Sequence, residues 1–139
     1  MRTTFWHGFA DMHTVKDAEL VFRSGDGVWL ESTDGRRFLD ATAALWYCAA
    51  GYGRREIADA VADQLTRLAA YSSFGAYTTE PTVALAARLS ALAPFDDAVV
   101  FLGSGGSDAV DTAAKLARRY WDVLGQPEKR IIVSREHGY

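Results

Sequence analysis

Residues 101–119 read FLGSGGSDAVDTAAKLARR and join three kinds of sequence without a spacer. An apolar run over residues 98–102 stops in Gly103, Ser104, Gly105, Gly106 and Ser107, and an alanine-rich helical pattern begins at once. The first N–H groups of a helix have no partner inside it, and the helix dipole adds partial positive charge at that end. An anion such as a phosphate is therefore favoured there. Glycine lets the backbone curl and lets the anion come close. Ser104 and Ser107 can add hydroxyl donors, and Ser107 also suits the N-cap, a purely structural role. Composition alone supports phosphate binding and a plain strand-to-helix turn equally.

Two well-known phosphate loops are excluded. A P-loop needs Lys-Ser/Thr after its last glycine, and here Ser107-Asp108 follows. The dinucleotide fingerprint G-x-G-x-x-G, counted from Gly103, would need glycine where Asp108 stands. Asp108 favours the helix dipole but would repel a phosphate unless it points away. Asp111 strengthens the helix start, and Lys115, Arg118 and Arg119 suit its end. Ala109, Ala113, Ala114 and Ala117 are small enough to let this helix lie close to a sheet.

Downstream, the helix is expected over 107–124, ended by Gly125 and Pro127. Residues 130–134, with Ile131, Ile132 and Val133, read as a second buried strand. Strand, helix and strand in this order predict a parallel or mixed sheet covered by helices. Upstream, Ile57, Val61, Leu65 and Leu68 recur at helical spacing and predict an amphipathic helix over 55–70. Its charged residues are expected towards water. Pro81 suits a helix start, Leu85, Leu89 and Leu92 line one face, and Pro94 closes that helix. Val28, Leu30 and Ser32 alternate with Trp29, Glu31 and Thr33, and Asp34-Gly35 supplies a tight hairpin turn before Arg37, Phe38 and Leu39. Residues 1–19 carry Phe5, Trp6 and Phe9 without helical period and read as an irregular arm.

The chain has 139 residues, enough for one domain or part of a larger one. With 49% hydrophobic and 12% aromatic residues it is globular rather than disordered. A net charge of −3 argues against a nucleic-acid binder. One cysteine, Cys48, rules out an internal disulfide and fits a reducing compartment. His7, His13 and His137 are scattered and lack metal-ligand spacing. The apolar run over 41–51 is too short to span a bilayer. No membrane partner and a cytoplasmic location are expected. Two short strands do not make a covered parallel sheet, so the chain reads as the opening third or so of a longer protein; the alternative is a small domain that dimerises to complete its sheet.

The stretch Gly105-Gly106-Ser107-Asp108-Ala109 through Lys115-Leu116-Ala117 resembles the cofactor-phosphate motif of class III (omega-type) aminotransferases, Ser-Gly-Ser/Thr-Glu-Ala with a following Lys-Leu-Ala-Arg. Asp40-Ala41-Thr42-Ala43-Ala44-Leu45-Trp46 through Gly51-Tyr52-Gly53 resembles the family's Asp-Gly-x-x-Gly-Leu-Trp segment and its Gly-His/Tyr-Gly. Tyr71-Ser72-Ser73-Phe74 resembles Tyr-x-Thr-Phe, and Gly138-Tyr139 falls at the family's Tyr-His-Gly. The resemblance runs from Phe5 to the last residue, and order and spacing make it specific.

The resemblance implies an α/β fold, the N-terminal part of a fold-type I pyridoxal-phosphate transferase. Residues 1–53 would be an N-terminal arm and small-domain segment, and 54–139 the first part of the large domain. It implies pyridoxal 5′-phosphate as cofactor, an amine or amino acid and a keto acid as substrates, and a homodimer. Gly105, Gly106 and Ser107 match the cofactor-phosphate positions, with Gly105 in place of the usual first Ser and Asp108 in place of the commoner Glu. Tyr139 matches the aromatic that stacks on the pyridine ring. Trp46 and Phe74 match aromatics of the substrate pocket; filling a core is their alternative role. Such chemistry needs a Schiff-base lysine. Lys16, Lys115 and Lys129 all lie in surface-like contexts, so no catalytic residue is assigned to this chain, and the alternative is a truncated relative that binds phosphate or a partner without chemistry.

Overall fold

The computed structural model describes residues 3–138. The chain divides into two units, Met1–Ala70 and Tyr71–Tyr139.

The first unit opens with a helix that the sequence pattern did not predict, α1 (Met12–Ala18). Asp11 caps it, accepting from the His13 N–H at 2.9 Å. At seven residues it is too short to display a period, so the cap is its main local cause. Three antiparallel strands follow in the order β1 (Phe22–Asp26), β2 (Trp29–Ser32) and β3 (Arg37–Leu39). The predicted β2–β3 hairpin is present, with Leu30 opposite Phe38. Gly35 takes φ 86° in its loop, and its N–H bonds the Ser32 carbonyl at 2.9 Å. The Ser32 side chain, 1% exposed, faces Asp34 and the Arg36 carbonyl and locks this turn. β1 extends the hairpin to three strands. Asp26 pairs with Trp29 across a two-residue loop in which Gly27 takes φ 56°, as the first position of a tight hairpin loop demands.

After β3 the chain makes a left-handed turn. Ala43, Ala44, Leu45 and Trp46 have φ of 48°, 49°, 60° and 80°. Four successive non-glycine residues there are costly, because Cβ crowds the following carbonyl. The Trp46 N–H bonds the Thr42 carbonyl at 2.9 Å, and the Cys48 N–H bonds that of Ala43 at 2.9 Å. α2 (Arg55–Arg67) then carries the predicted stripe of Ile57, Val61 and Leu65.

The second unit contains α3 (Glu80–Leu92), with Pro81 in its first turn as expected, and α4 (Gly106–Val123). α4 ends as the sequence suggests. Gly125 takes φ 71°, its N–H reaches the Asp122 carbonyl at 3.1 Å, and the Gln126 N–H reaches that of Trp121 at 2.9 Å. These are the paired bonds of a Schellman cap.

The expected strands at 98–102 and 130–134 are not formed: both segments are unpaired and open. Val99 is 97% and Ile131 84% exposed. The only sheet among the described residues is therefore the antiparallel one. The reason is physical. A strand exists through the ladder it shares with a neighbour, and neither segment has one here. Ser90 Oγ donating to the Ala98 carbonyl at 2.7 Å is the one side-chain bond that ties residue 98 to α3. No hydrophobic side chain among the described residues is buried.

The left-handed turn gives a direct test. Ala44→Gly removes a Cβ from a φ of 49°, and is expected to stabilise the protein by about 1 kcal/mol. A lowered denaturation midpoint would contradict the strain assigned to this turn.

Candidate functional site

At the start of α4, Gly105 is the N-cap residue, with extended backbone at φ 179° and ψ 174°. Ser107 is therefore the second helical residue and not the cap, and no side chain caps this end. That corrects the structural role suggested by sequence and leaves the Ser107 hydroxyl uncommitted. The first helical bond runs from the Ala109 N–H to the Gly105 carbonyl at 3.0 Å. The N–H groups of Gly106, Ser107 and Asp108 find no acceptor among the described residues. These are the orphan donors that a helix start presents to an anion.

The Asp108 carboxylate does not take them. Its Oδ2 accepts from the Ser104 N–H at 3.0 Å and lies 3.4 Å from the Ser104 hydroxyl. A Cβ on Gly103 would meet this oxygen at 2.6 Å, so the glycine there makes room for the carboxylate. Added Cβ atoms on Gly105 and Gly106 would meet nothing within 4 Å. Open space thus lies beside both glycines. A shallow concavity of about 490 Å³ is lined by Gly106, Ser107, Val110, Asp111 and Ala114. Lys115 does not reach this end as a free amine. Its ammonium pairs with Asp111, one helical turn away, and that hydrogen bond raises its pKa further. Three amides, one hydroxyl and open space in front of glycines are a donor set that fits a phosphate.

A second polar centre lies in the first unit and was not singled out from sequence. Asp40 Oδ1 accepts from the Thr42 N–H at 3.0 Å and its hydroxyl at 2.9 Å. Asp40 Oδ2 accepts from the Ala44 N–H at 2.8 Å and the Tyr52 hydroxyl at 2.6 Å. The Tyr52 bond, with the others behind it, lowers the Asp40 pKa to about 2, and the same bond pushes the Tyr52 phenol up. Tyr52 is fixed in turn. Its backbone exchanges bonds with Gly27 at 2.8 and 3.1 Å, and its ring lies where a Cβ on Gly25 would be, 2.7 Å from Cγ. From sequence, Asp40 and Tyr52 stood only inside the stretches 40–46 and 51–53 that carry the resemblance, and the local hint to their role was an acid two residues before Thr42, a spacing typical of turns.

Trp46 stands on the left-handed turn that Asp40 holds, 76% exposed. Phe74 is in the second unit, 87% exposed, with its N–H bonded to Ser72 Oγ at 3.1 Å. Neither fills a core here. Tyr139 and the side chain of Lys16 lie outside the described residues. Among the described residues no group of three or more His, Cys, Asp or Glu could hold a metal, and no helix is long and apolar enough to cross a membrane.

The Asp40 network has a pH signature. Its folded pKa is below the ordinary value of about 3.9, so its stabilisation is complete above pH ~4. It is lost as pH falls toward 2. Acid titration of stability should show this loss, and Asp40→Asn should flatten that limb of the curve. Identical acid limbs in the two proteins would contradict it.

Comparison with known proteins follows the same lines. The family described as Aminotransferase class-III matches residues 12–139. A probable aminotransferase of Mycobacterium tuberculosis is 42% identical over 134 residues, covering 96% of this chain and 28% of the relative. The beta-alanine–pyruvate aminotransferase of Pseudomonas aeruginosa is 37% identical over 135 residues, covering 96% of this chain and 30% of its own length. The crystal structure of the PMP-bound form of an aminotransferase from Vibrio fluvialis superposes with a TM-score of 0.88 at 33% identity, over 95% of this chain and 29% of that one. The chain thus spans about 30% of the length of the proteins it matches.

Proposed function

The chain belongs to the class-III aminotransferases, and we propose that it is the cofactor-phosphate-binding N-terminal portion of a pyridoxal-phosphate-dependent transaminase. The observation that carries this reading is the start of α4, where three amides and the Ser107 hydroxyl, all without partners among the described residues, meet open space. Gly105, Gly106 and Ser107 would hold the phosphate of pyridoxal 5′-phosphate. Gly105 contributes conformation and room rather than a hydroxyl. The cofactor, when bound, supplies the electron sink through which an amino group moves from an amine or amino acid to a keto acid. The PMP-bound relative and the beta-alanine–pyruvate relative support the cofactor and the substrate classes.

The remaining roles belong to the same proposal. Tyr139 would stack on the cofactor ring, and Trp46 and Phe74 would line the substrate pocket, their rings being exposed rather than packed. Residues 1–53 would form the arm and small-domain segment, and 54–139 the first part of the large domain. A cytoplasmic homodimer completes the reading.

No described lysine suits covalent attachment to the cofactor. Lys115 is paired with Asp111, which raises its pKa, and Lys129 is engaged over the Trp121 ring at 3.7 Å. Residues 1–139 by themselves are therefore expected to show no amine turnover with added pyridoxal phosphate; lysine-dependent turnover by this stretch would contradict the assignment.

The complete polypeptide carrying this stretch should retain pyridoxal phosphate through gel filtration, with the visible absorbance of the bound cofactor. Ser107→Ala should weaken that binding roughly tenfold or more, the size of one hydrogen bond to a charged group. A complete polypeptide that holds no cofactor would overturn the reading.

A further inference from the structure

We propose that Asp108 is a positioning residue for the phosphate site: by holding Ser104 it shapes the Gly/Ser turn and stays clear of the amides the phosphate needs. The inference rests on the cofactor-phosphate reading above and goes beyond it, because Asp108 donates nothing to the cofactor and carries the wrong charge to attract it.

An acid in the first turn of a helix has two ordinary uses. It balances the positive end of the dipole, or it reaches back to accept a backbone N–H at the cap. Asp108 takes the second, one residue further back than the usual capping box. The N-cap is Gly105, yet the carboxylate engages the N–H and hydroxyl of Ser104. These are its only hydrogen-bond partners among the described residues. The nearby cation, Lys115, pairs with Asp111 instead. The negative charge is thus tied upstream of the cap.

Gly103 completes the device. A Cβ there would stand 2.6 Å from Asp108 Oδ2, so the carboxylate would have to shift from its place against Ser104. The space beside Gly105 and Gly106 has no such occupant. Glycine therefore does different work at neighbouring positions. At 103 it admits the carboxylate of Asp108; at 105 and 106 it leaves room for an outside anion. If Asp108 swung forward, its carboxylate would compete for the amides of α4 and repel a phosphate across them.

The proposal separates the clamp from the charge. Asparagine keeps an oxygen able to accept from the Ser104 N–H and removes the repulsion. Alanine removes both. Affinities of the apo form of the complete enzyme for pyridoxal phosphate and for pyridoxal, which lacks the phosphate, would be measured by absorbance. Asp108→Ala is expected to weaken pyridoxal phosphate about tenfold, while Asp108→Asn stays within about threefold of the wild type or binds more tightly. Ser104→Ala, which keeps the amide and loses only the 3.4 Å contact, should also stay within about threefold. Pyridoxal affinity should be unchanged in all three. Three results would overturn the role: Asp108→Ala binding like wild type, Asp108→Asn failing as badly as Asp108→Ala, or equal losses for pyridoxal and its phosphate. Wild-type protein that binds neither ligand would instead remove the cofactor reading on which the inference stands.

Discussion

Three backbone amides at the start of α4 have no acceptor among the described residues, and the surrounding turn is built so that its own side chains do not take them. A protein ordinarily pairs the orphan donors of a helix start with a cap. Here two residues able to do so are placed otherwise. Ser107 sits inside the helix, and Asp108 is turned onto Ser104. Leaving donors unmatched is tolerable only where water or a ligand serves them. The turn lies open, so solvent can reach these amides and an anion can take its place. On the proposed reading it is the open end of α4, more than any individual side chain, that would let this turn bind a phosphate rather than only connect two segments.

The legible and illegible parts of the fold divide along the same physical line. Features set by a residue's own covalent geometry could be read: Gly35 at φ 86°, Pro81 in the first turn of α3, Gly125 in the Schellman cap of α4. The helical stripes of α2 and α3 were also legible, because periodicity is a property of one segment. The strands at 98–102 and 130–134 were read from apolar composition, but a strand is a relation between two segments, and no partner ladder is present for either. The helix α1 was missed because a short helix held by one Asp11 cap leaves no pattern.

The left-handed turn was illegible for a stronger reason. Nothing in Ala43-Ala44-Leu45-Trp46 asks for positive φ, and local preference opposes it. The conformation is imposed by Asp40, whose carboxylate collects four donors, one of them the Ala44 amide inside the turn. The Tyr52 hydroxyl brings in a residue twelve positions away. Tyr52 is in turn locked to Gly27 and stacked over Gly25. Strain at one point is thus held by hydrogen bonds that link the β1–β2 loop, the β3 exit and Tyr52, three residues before α2. Such strain persists only where the surroundings over-determine it, and it tends to mark positions with a task. Trp46 is the last residue of the run, and its side chain is exposed.

The two centres share one design, although they lie in different units. In each, an aspartate spends its charge on backbone donors of its own loop and leaves something else exposed. Asp40 consumes the amides of residues 42 and 44 and presents an aromatic ring; Asp108 consumes the amide of Ser104 and presents three bare amides. A carboxylate suits such a task better than a hydroxyl, since a charged acceptor binds N–H groups about twice as strongly and can serve several at once. The short aspartate side chain matters too. At 108 the oxygen reaches Ser104 while occupying the volume that Gly103 leaves vacant. The glycine at 103 and the aspartate at 108 therefore fit each other, the carboxylate holding the Ser104 amide from the space that the absent Cβ leaves.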